Sequence, residues 1–155
     1  MNIKTFYQSL PRKRISAGAL FFNEKKELLI VKPSYKDHWS VPGGVVDENE
    51  SPKEACIREV KEEINLDIKN PRFIGVDYKP ARGQRNESLQ FVFYGGILTQ
   101  NQIDKIKLRS GEISEYKFVK AEEAIPLLSK GFQKRMPKCL EAIKNNTGIY
   151  SEEGE

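Results

Sequence analysis

The sequence has little of several residues that define protein classes. Two cysteines, Cys56 and Cys139, are too few and too far apart for a disulfide framework, so we expect a chain of the reducing cytoplasm. A single histidine, His38, excludes a His-rich zinc site. Any metal must therefore be held by oxygen ligands, which favour Mg²⁺ or Mn²⁺.

Long apolar runs are also missing. The longest, such as residues 17–22, fall far short of the roughly 20 residues that a membrane-spanning helix needs. Residues 1–10 lack the charged and then apolar order of a secretory signal. We therefore expect no membrane partner.

Charge of one sign is not dominant either. The formal net charge of +4 comes from 26 basic and 22 acidic residues, with basic clusters at residues 12–14 and 105–109. This balance favours anionic partners only weakly. There is no stripe of Lys and Arg interleaved with aromatic residues, so binding to nucleic acid is not expected.

What is present is the pattern of one globular domain. Its 155 residues suit a single core. Segments rich in β-branched and aromatic residues lie before and after one central helix, without regular βαβ alternation, which predicts an α+β sandwich with a mixed sheet. We expect one domain over 1–155, with residues 1–13 as an arm that could serve a homodimer and residues 151–155 as a flexible tail.

Predicted elements follow from local pattern. Strands are expected at 14–22, 27–32, 72–78, 88–98 and 116–119, the first two as a hairpin. Later helices are expected at 121–128 and 132–145.

The central helix has the clearest boundaries. Ser51 is an N-cap, Pro52 suits the first helical position and Glu54 completes a capping box. The helix should end near Ile64, because Asn65 tolerates the left-handed conformation that terminates helices.

This helix carries three glutamates, Glu59, Glu62 and Glu63, on one face, with apolar residues on another. One interpretation is a solvated charged face in which Arg58 and Lys61 neutralise their neighbours. The other is a metal site, since hard divalent cations take carboxylate ligands from a rigid helix and carbonyl ligands from an adjoining turn.

The segment from Gly44 to Leu66 resembles the Nudix box. It follows the order Gly, five residues, Glu, seven residues, then Arg-Glu-apolar-x-Glu-Glu-x-Gly-apolar, with Asn65 in place of the last Gly. The matching polar and glycine positions are Gly44, Glu50, Arg58, Glu59, Glu62 and Glu63. The likeness extends over most of residues 14–150.

The resemblance implies an α/β/α sandwich with a mixed central sheet and a catalytic helix after a Gly-Gly loop. It implies Mg²⁺- or Mn²⁺-dependent hydrolysis of a pyrophosphate bond in a nucleoside diphosphate linked to another moiety, such as a nucleoside triphosphate, ADP-ribose or a nucleotide sugar. A nucleoside monophosphate would be released. By resemblance, the ligands are Glu59, Glu62, Glu63 and the Gly43 carbonyl, while Arg58 holds Glu50.

The proton acceptor and the substrate contacts are less defined. The resemblance leaves either a box glutamate or a late-loop glutamate as base, here Glu112 or Glu115. Arg82 and Arg85 have the geometry to grip a terminal phosphate of a small nucleotide. Tyr35 is a candidate to stack on a base.

Two alternatives stay open. The basic clusters would suit an RNA 5′-end pyrophosphohydrolase, for which salt-sensitive RNA binding would be the sign. A non-catalytic Nudix-fold nucleotide-binding regulator is the other, against which the intact box residues count.

Overall fold

The computed structural model describes all residues, 1–155, as a seven-stranded sheet with helices on both faces. In chain order the elements are α1 (Ile3–Ser9), β1 (Arg14–Phe22), β2 (Leu28–Pro33), β3 (Gly43–Val45), α2 (Pro52–Ile64), β4 (Arg72–Lys79), β5 (Ser88–Ile97), α3 (Gln100–Asp104), β6 (Ile113–Val119), α4 (Ala121–Ala124), a 3₁₀ turn (Ile125–Leu127), α5 (Lys130–Asn145) and β7 (Ile149–Glu152).

The sheet is mixed, as the sequence predicts. Its order is β6-β2-β1-β5-β4-β7, with β3 paired to β1. β1 runs parallel to β5, and β4 runs parallel to β7, whereas the remaining pairs are antiparallel. Alternate β1 side chains face opposite ways: Phe21 packs in the same core as α2, and Leu20 in the same core as α5. The α+β sandwich fold is confirmed.

The predicted hairpin of β1 and β2 forms only at its closed end, where Phe22 pairs with Leu28. Farther along, β3 pairs with β1 instead, so that Gly43 lies opposite Gly18. The two backbones are close there, because a Cβ on Gly43 would lie 2.4 Å from the Ala17 carbonyl oxygen. The Gly-Gly segment is thus fixed beside β1 just before the chain enters α2.

The predicted helix boundaries hold best at α2. Both halves of its capping box form between Ser51 and Glu54, and Asn65 ends the helix with φ 60°. The helix expected at 121–128 is instead one short α-helix followed by a 3₁₀ turn, since Pro126 has no N–H to continue the helical ladder. α5 begins at Lys130, two residues earlier than predicted, because Ser129 caps it.

The two ends of the chain differ. Residues 1–13 are exposed and contain only the short helix α1. We expected residues 151–155 to be a flexible tail, but the structure places Ser151 in β7 beside β4, where its side chain is buried. No helix is both long and apolar enough to cross a membrane.

Candidate active site

A polar cleft of about 1410 Å³ runs from the Gly-Gly segment and α2 to the far ends of β4, β5 and α5. At its first end lie Gly43, Gly44, Glu59, Glu63 and Glu112. We call this group the carboxylate end. It brings together residues that are up to 69 positions apart in sequence, from Gly43 to Glu112.

Glu63 is the most buried carboxylate of this end, with 6% of its surface exposed. Its Oε1 accepts a hydrogen bond from the Gly43 N–H at 3.0 Å. Burial is the largest cause that raises the pKa of Glu63 to about 8, and the nearby charges of Glu59 and Glu112 raise it further. A cation in the cleft would offset the unfavourable burial of the ionised Glu63 carboxylate and its repulsion by Glu59 and Glu112.

Glu59 approaches the backbone of β3. A Cβ on Gly44 would lie 2.4 Å from the Glu59 carboxyl carbon, so only glycine leaves room for this carboxylate. Arg58 Nη1 also donates to Glu59 Oε1 at 2.8 Å. The Glu59 carboxylate therefore contacts both the bare Gly44 backbone and a guanidinium.

Arg58 joins α2 to the loop that precedes it. It donates to both oxygens of Glu50, from Nε at 2.7 Å and from Nη2 at 2.9 Å, and also to the Val45 carbonyl oxygen at 3.2 Å. These bonds lower the pKa of the Glu50 carboxyl to about 2, chiefly through the hydrogen bond from Arg58. Arg58 and Glu50, which the family resemblance links, are thus in direct contact.

Glu62 lies apart from the other two glutamates. It does not line the cleft, and its Oε2 accepts from Arg58 at 3.3 Å and from Arg109 at 3.4 Å. No three acidic, histidine or cysteine side chains converge as a ready metal cage. The structure thus brings Glu59 and Glu63 together, and Glu62 would have to turn away from its two arginines to join them.

The two late-loop candidates are distinguished by position. Glu112 precedes β6, lines the cleft and lies 3.6 Å from Arg109 Nε. Glu115 lies within β6 opposite Lys32, exposed and outside the cleft lining.

All three predicted substrate contacts line the cleft. Tyr35 is 73% exposed. Partial burial of its phenol and then the charge of Glu63 raise the pKa of that group. The backbones of Arg82 and Arg85 pair in a turn between β4 and β5. The Arg82 side chain forms an ion pair with Glu153. Arg85 is the less engaged of the two.

Sequence reasoning missed the polar residues of α5 and of the strands beneath it that line the far end of the cleft. They are Arg135 on the helix and Lys79, Ser88 and Gln90 on the strands. A signal existed for Arg135, since it shares a helical stripe, at spacings of four and three, with Cys139 and Ala142, and all three are buried. For the strand residues no local signal existed, because the pairing of distant strands places them together.

The chain is similar to known proteins in sequence and in fold. The family profile described as "NUDIX domain" matches residues 12–143. The crystal structure of a MutT protein from Methanosarcina mazei Go1 is similar with a TM-score of 0.72 and 30% identity, covering 88% of this chain and 99% of that one.

Two curated relatives have different named activities. Diphosphoinositol polyphosphate phosphohydrolase 3-alpha of Mus musculus is 31% identical over 115 residues, 72% of this chain and 67% of the relative. The mRNA-decapping enzyme subunit 2 of Saccharomyces cerevisiae (strain YJM789) is 31% identical over 99 residues, 58% of this chain but only 10% of the relative's length.

The match to the family profile spans most of the chain and includes the whole capped helix with its carboxylates. The protein therefore belongs to the Nudix hydrolase family.

Proposed function

We propose that the protein hydrolyses a pyrophosphate bond in a nucleoside diphosphate linked to another moiety and releases a nucleoside monophosphate. The observation that carries this proposal is the buried Glu63, held by the Gly43 N–H beside Glu59 in a cleft. A buried carboxylate without an adjacent cation is costly, and the cleft is large enough for a nucleotide.

The residues present fit a divalent cation. Glu59 and Glu63, with the Gly43 carbonyl and a reoriented Glu62, are oxygen donors of the kind that Mg²⁺ or Mn²⁺ prefers. Gly44 contributes no side chain that would displace the Glu59 carboxylate. When bound, the cation neutralises charge on the diphosphate and lowers the pKa of water.

We assign the positioning and proton-transfer roles to side chains of the protein. Arg58 fixes the loop through Glu50 and restrains Glu59. We assign the proton acceptor to the Glu112 carboxylate; in support, it lines the same cleft and its charge acts on Glu63. We favour Glu112 over Glu115 because Glu115 lies outside the cleft lining.

An RNA 5′ end is a second candidate substrate. It is supported by Arg14, which follows the basic residues 12 and 13 and lines the cleft, and by the decapping activity named for the yeast relative. RNA binding that weakens steeply with salt would favour it.

The test is a panel of nucleoside triphosphates, ADP-ribose, nucleotide sugars and 5′-triphosphorylated RNA, with phosphate release read after coupling to a pyrophosphatase or phosphatase. Activity should require Mg²⁺ or Mn²⁺ and should fall by at least about a hundredfold in Glu59→Gln and in Glu63→Gln. Glu24→Gln, in an exposed turn, is the matched control. Full activity in excess EDTA or in either box variant would contradict the proposal.

A further inference from the structure

The sheet face under α5 turns polar at its cleft end. Residues that pair across strands place their side chains on one face. The pairs of β1, β5 and β4 form two such rows, Arg14, Ser88 and Lys79, then Ser16, Gln90 and Asp77. The next row contains the core residue Val92. Polar residues thus occupy a position where a covered sheet face would ordinarily be apolar.

Arg135 of α5 covers this polar patch. It is only 4% exposed, and it donates both of its hydrogen bonds from Nη1, to Asp77 at 3.2 Å and to Gln90 at 2.6 Å. Its Nε has no partner, and neither does the Oγ of Ser88, which is 1% exposed. Buried polar atoms without partners cost stability unless a ligand supplies the missing bond.

Lys79 lies against the first turn of α5. A Cβ on Gly131 would be 2.7 Å from Lys79 Nζ, so the amine is close to the positive end of a 16-residue helix. Burial and the charge of Arg135 lower the pKa of Lys79, and the charges of Arg85 and Arg14 lower it further. The amine makes no ion pair.

The acidic groups near this patch are already engaged. Asp77 accepts from Arg135, from Ser151 at 2.6 Å and from the Gly154 N–H at 2.8 Å. The cleft-lining Glu153 and Glu155 form ion pairs with Arg82 and Lys134. Positive charge therefore exceeds negative charge where Arg14, Lys79, Ser88 and Arg135 meet the start of α5, which we call the basic end of the cleft. The carboxylate end has the opposite excess.

We propose that the basic end of the cleft binds a phosphoryl group on the part of the substrate that is not cleaved. This proposal rests on the proposed function and narrows its substrate to diphosphate compounds that carry a further phosphate. A neutral nucleobase could bond Ser88 and Arg135, but it would leave the excess charge at Lys79 uncompensated. A phosphoryl group supplies both acceptors and charge.

Inorganic phosphate is the probe, titrated into the full chain in EDTA at low ionic strength and followed by amide chemical shifts. Without a cation the carboxylate end repels phosphate, so binding reports on the basic end. The amides of Ser88 and Gly131 should shift. Lys79→Met should weaken phosphate binding by about tenfold, since removal of a charged partner at a partly buried site costs at least one decade in affinity.

Gly131→Ala is the sharper variant, because it removes no charge. The added methyl displaces the Lys79 amine, while alanine suits a helix better than glycine, so folding should be retained and phosphate binding weakened. Ser88→Ala should also weaken binding. Lys25→Met, an exposed lysine in the turn after β1, is the control and should bind as the parent does.

Two outcomes would overturn the proposal. One is phosphate binding that is absent, or equal in the parent and in Lys79→Met. The other is a shift of the same amides by adenosine, guanosine or uridine but not by phosphate. The titration needs neither metal nor turnover. Phosphate binding can therefore be observed even if no hydrolysis is detected, and hydrolysis can be detected even if phosphate does not bind.

Discussion

Arg58 grips Glu50 through two parallel hydrogen bonds, from Nε to Oε2 at 2.7 Å and from Nη2 to Oε1 at 2.9 Å. Glu50 lies in the loop before α2, and Arg58 lies about two turns into the helix. Arg58 also bonds the β3 carbonyl of Val45 and the carboxylate of Glu59, and no other side chain bonds all three groups. The planar guanidinium makes this possible, because its donors are fixed in a fork.

Arg58→Lys should therefore lose activity although the charge is kept. A lysine cannot bond both Glu50 oxygens and Glu59 together, and loss of such outer-shell partners costs about 10- to 100-fold. kcat/KM should fall within that range while the far-ultraviolet circular dichroism is unchanged. Arg12→Lys, at an exposed position, serves as the control, and equal activity in both variants would contradict the positioning role.

Gly44→Ala should reduce activity by up to about a hundredfold, because the new methyl group would occupy the place of the Glu59 carboxylate and displace a reacting group by an ångström or more. Steady-state kinetics with saturating Mg²⁺ would measure this. Gly148→Ala is the matched control, since its Cβ would meet no atom closer than 3.5 Å. Unchanged kcat/KM in Gly44→Ala would show that Glu59 is not needed where the structure places it.

Glu50 should contribute stability that depends on pH. Its pKa is about 2 in the folded chain against 4.5 ordinarily, so the contribution is present above pH 4.5 and is lost as the pH falls from 4.5 toward 2. The difference in unfolding free energy between the parent and Glu50→Gln should thus shrink over that window. Urea denaturation at pH 7, 4.5 and 3 would show it, and a difference that is constant with pH would refute it.

Ser151→Ala should destabilise the fold. Its hydroxyl donates to the buried carboxylate of Asp77 at 2.6 Å, and a hydrogen bond to a charged group contributes about 1.5–3 kcal/mol. Urea denaturation should show a loss of about that size. Ser114→Ala, whose hydroxyl is exposed and bonds a neutral carbonyl, should change stability little. An effect no larger in Ser151→Ala than in Ser114→Ala would mean that the end of the chain is not held as the structure shows.

Local sequence was enough for α2 and for the spacing of its carboxylates. The capping box of Ser51 and Glu54 and the left-handed Asn65 involve residues a few positions apart, so their geometry follows from the chain itself. The helical period alone places Glu59 and Glu63 one turn apart. The choice of oxygen ligands followed from the residues that the sequence lacks.

Tertiary structure decided which of those residues meet. Glu62 bonds Arg109, which is 47 positions later in the chain. Glu112, just before β6, lines the cleft, whereas Glu115 within β6 does not. The helical period cannot encode a partner on another element. The same reason explains the end of the chain, where the local run of polar residues predicted a flexible tail. In the structure Ser151 and Gly154 bond the buried Asp77 of β4, 74 and 77 positions earlier, and β7 pairs with β4.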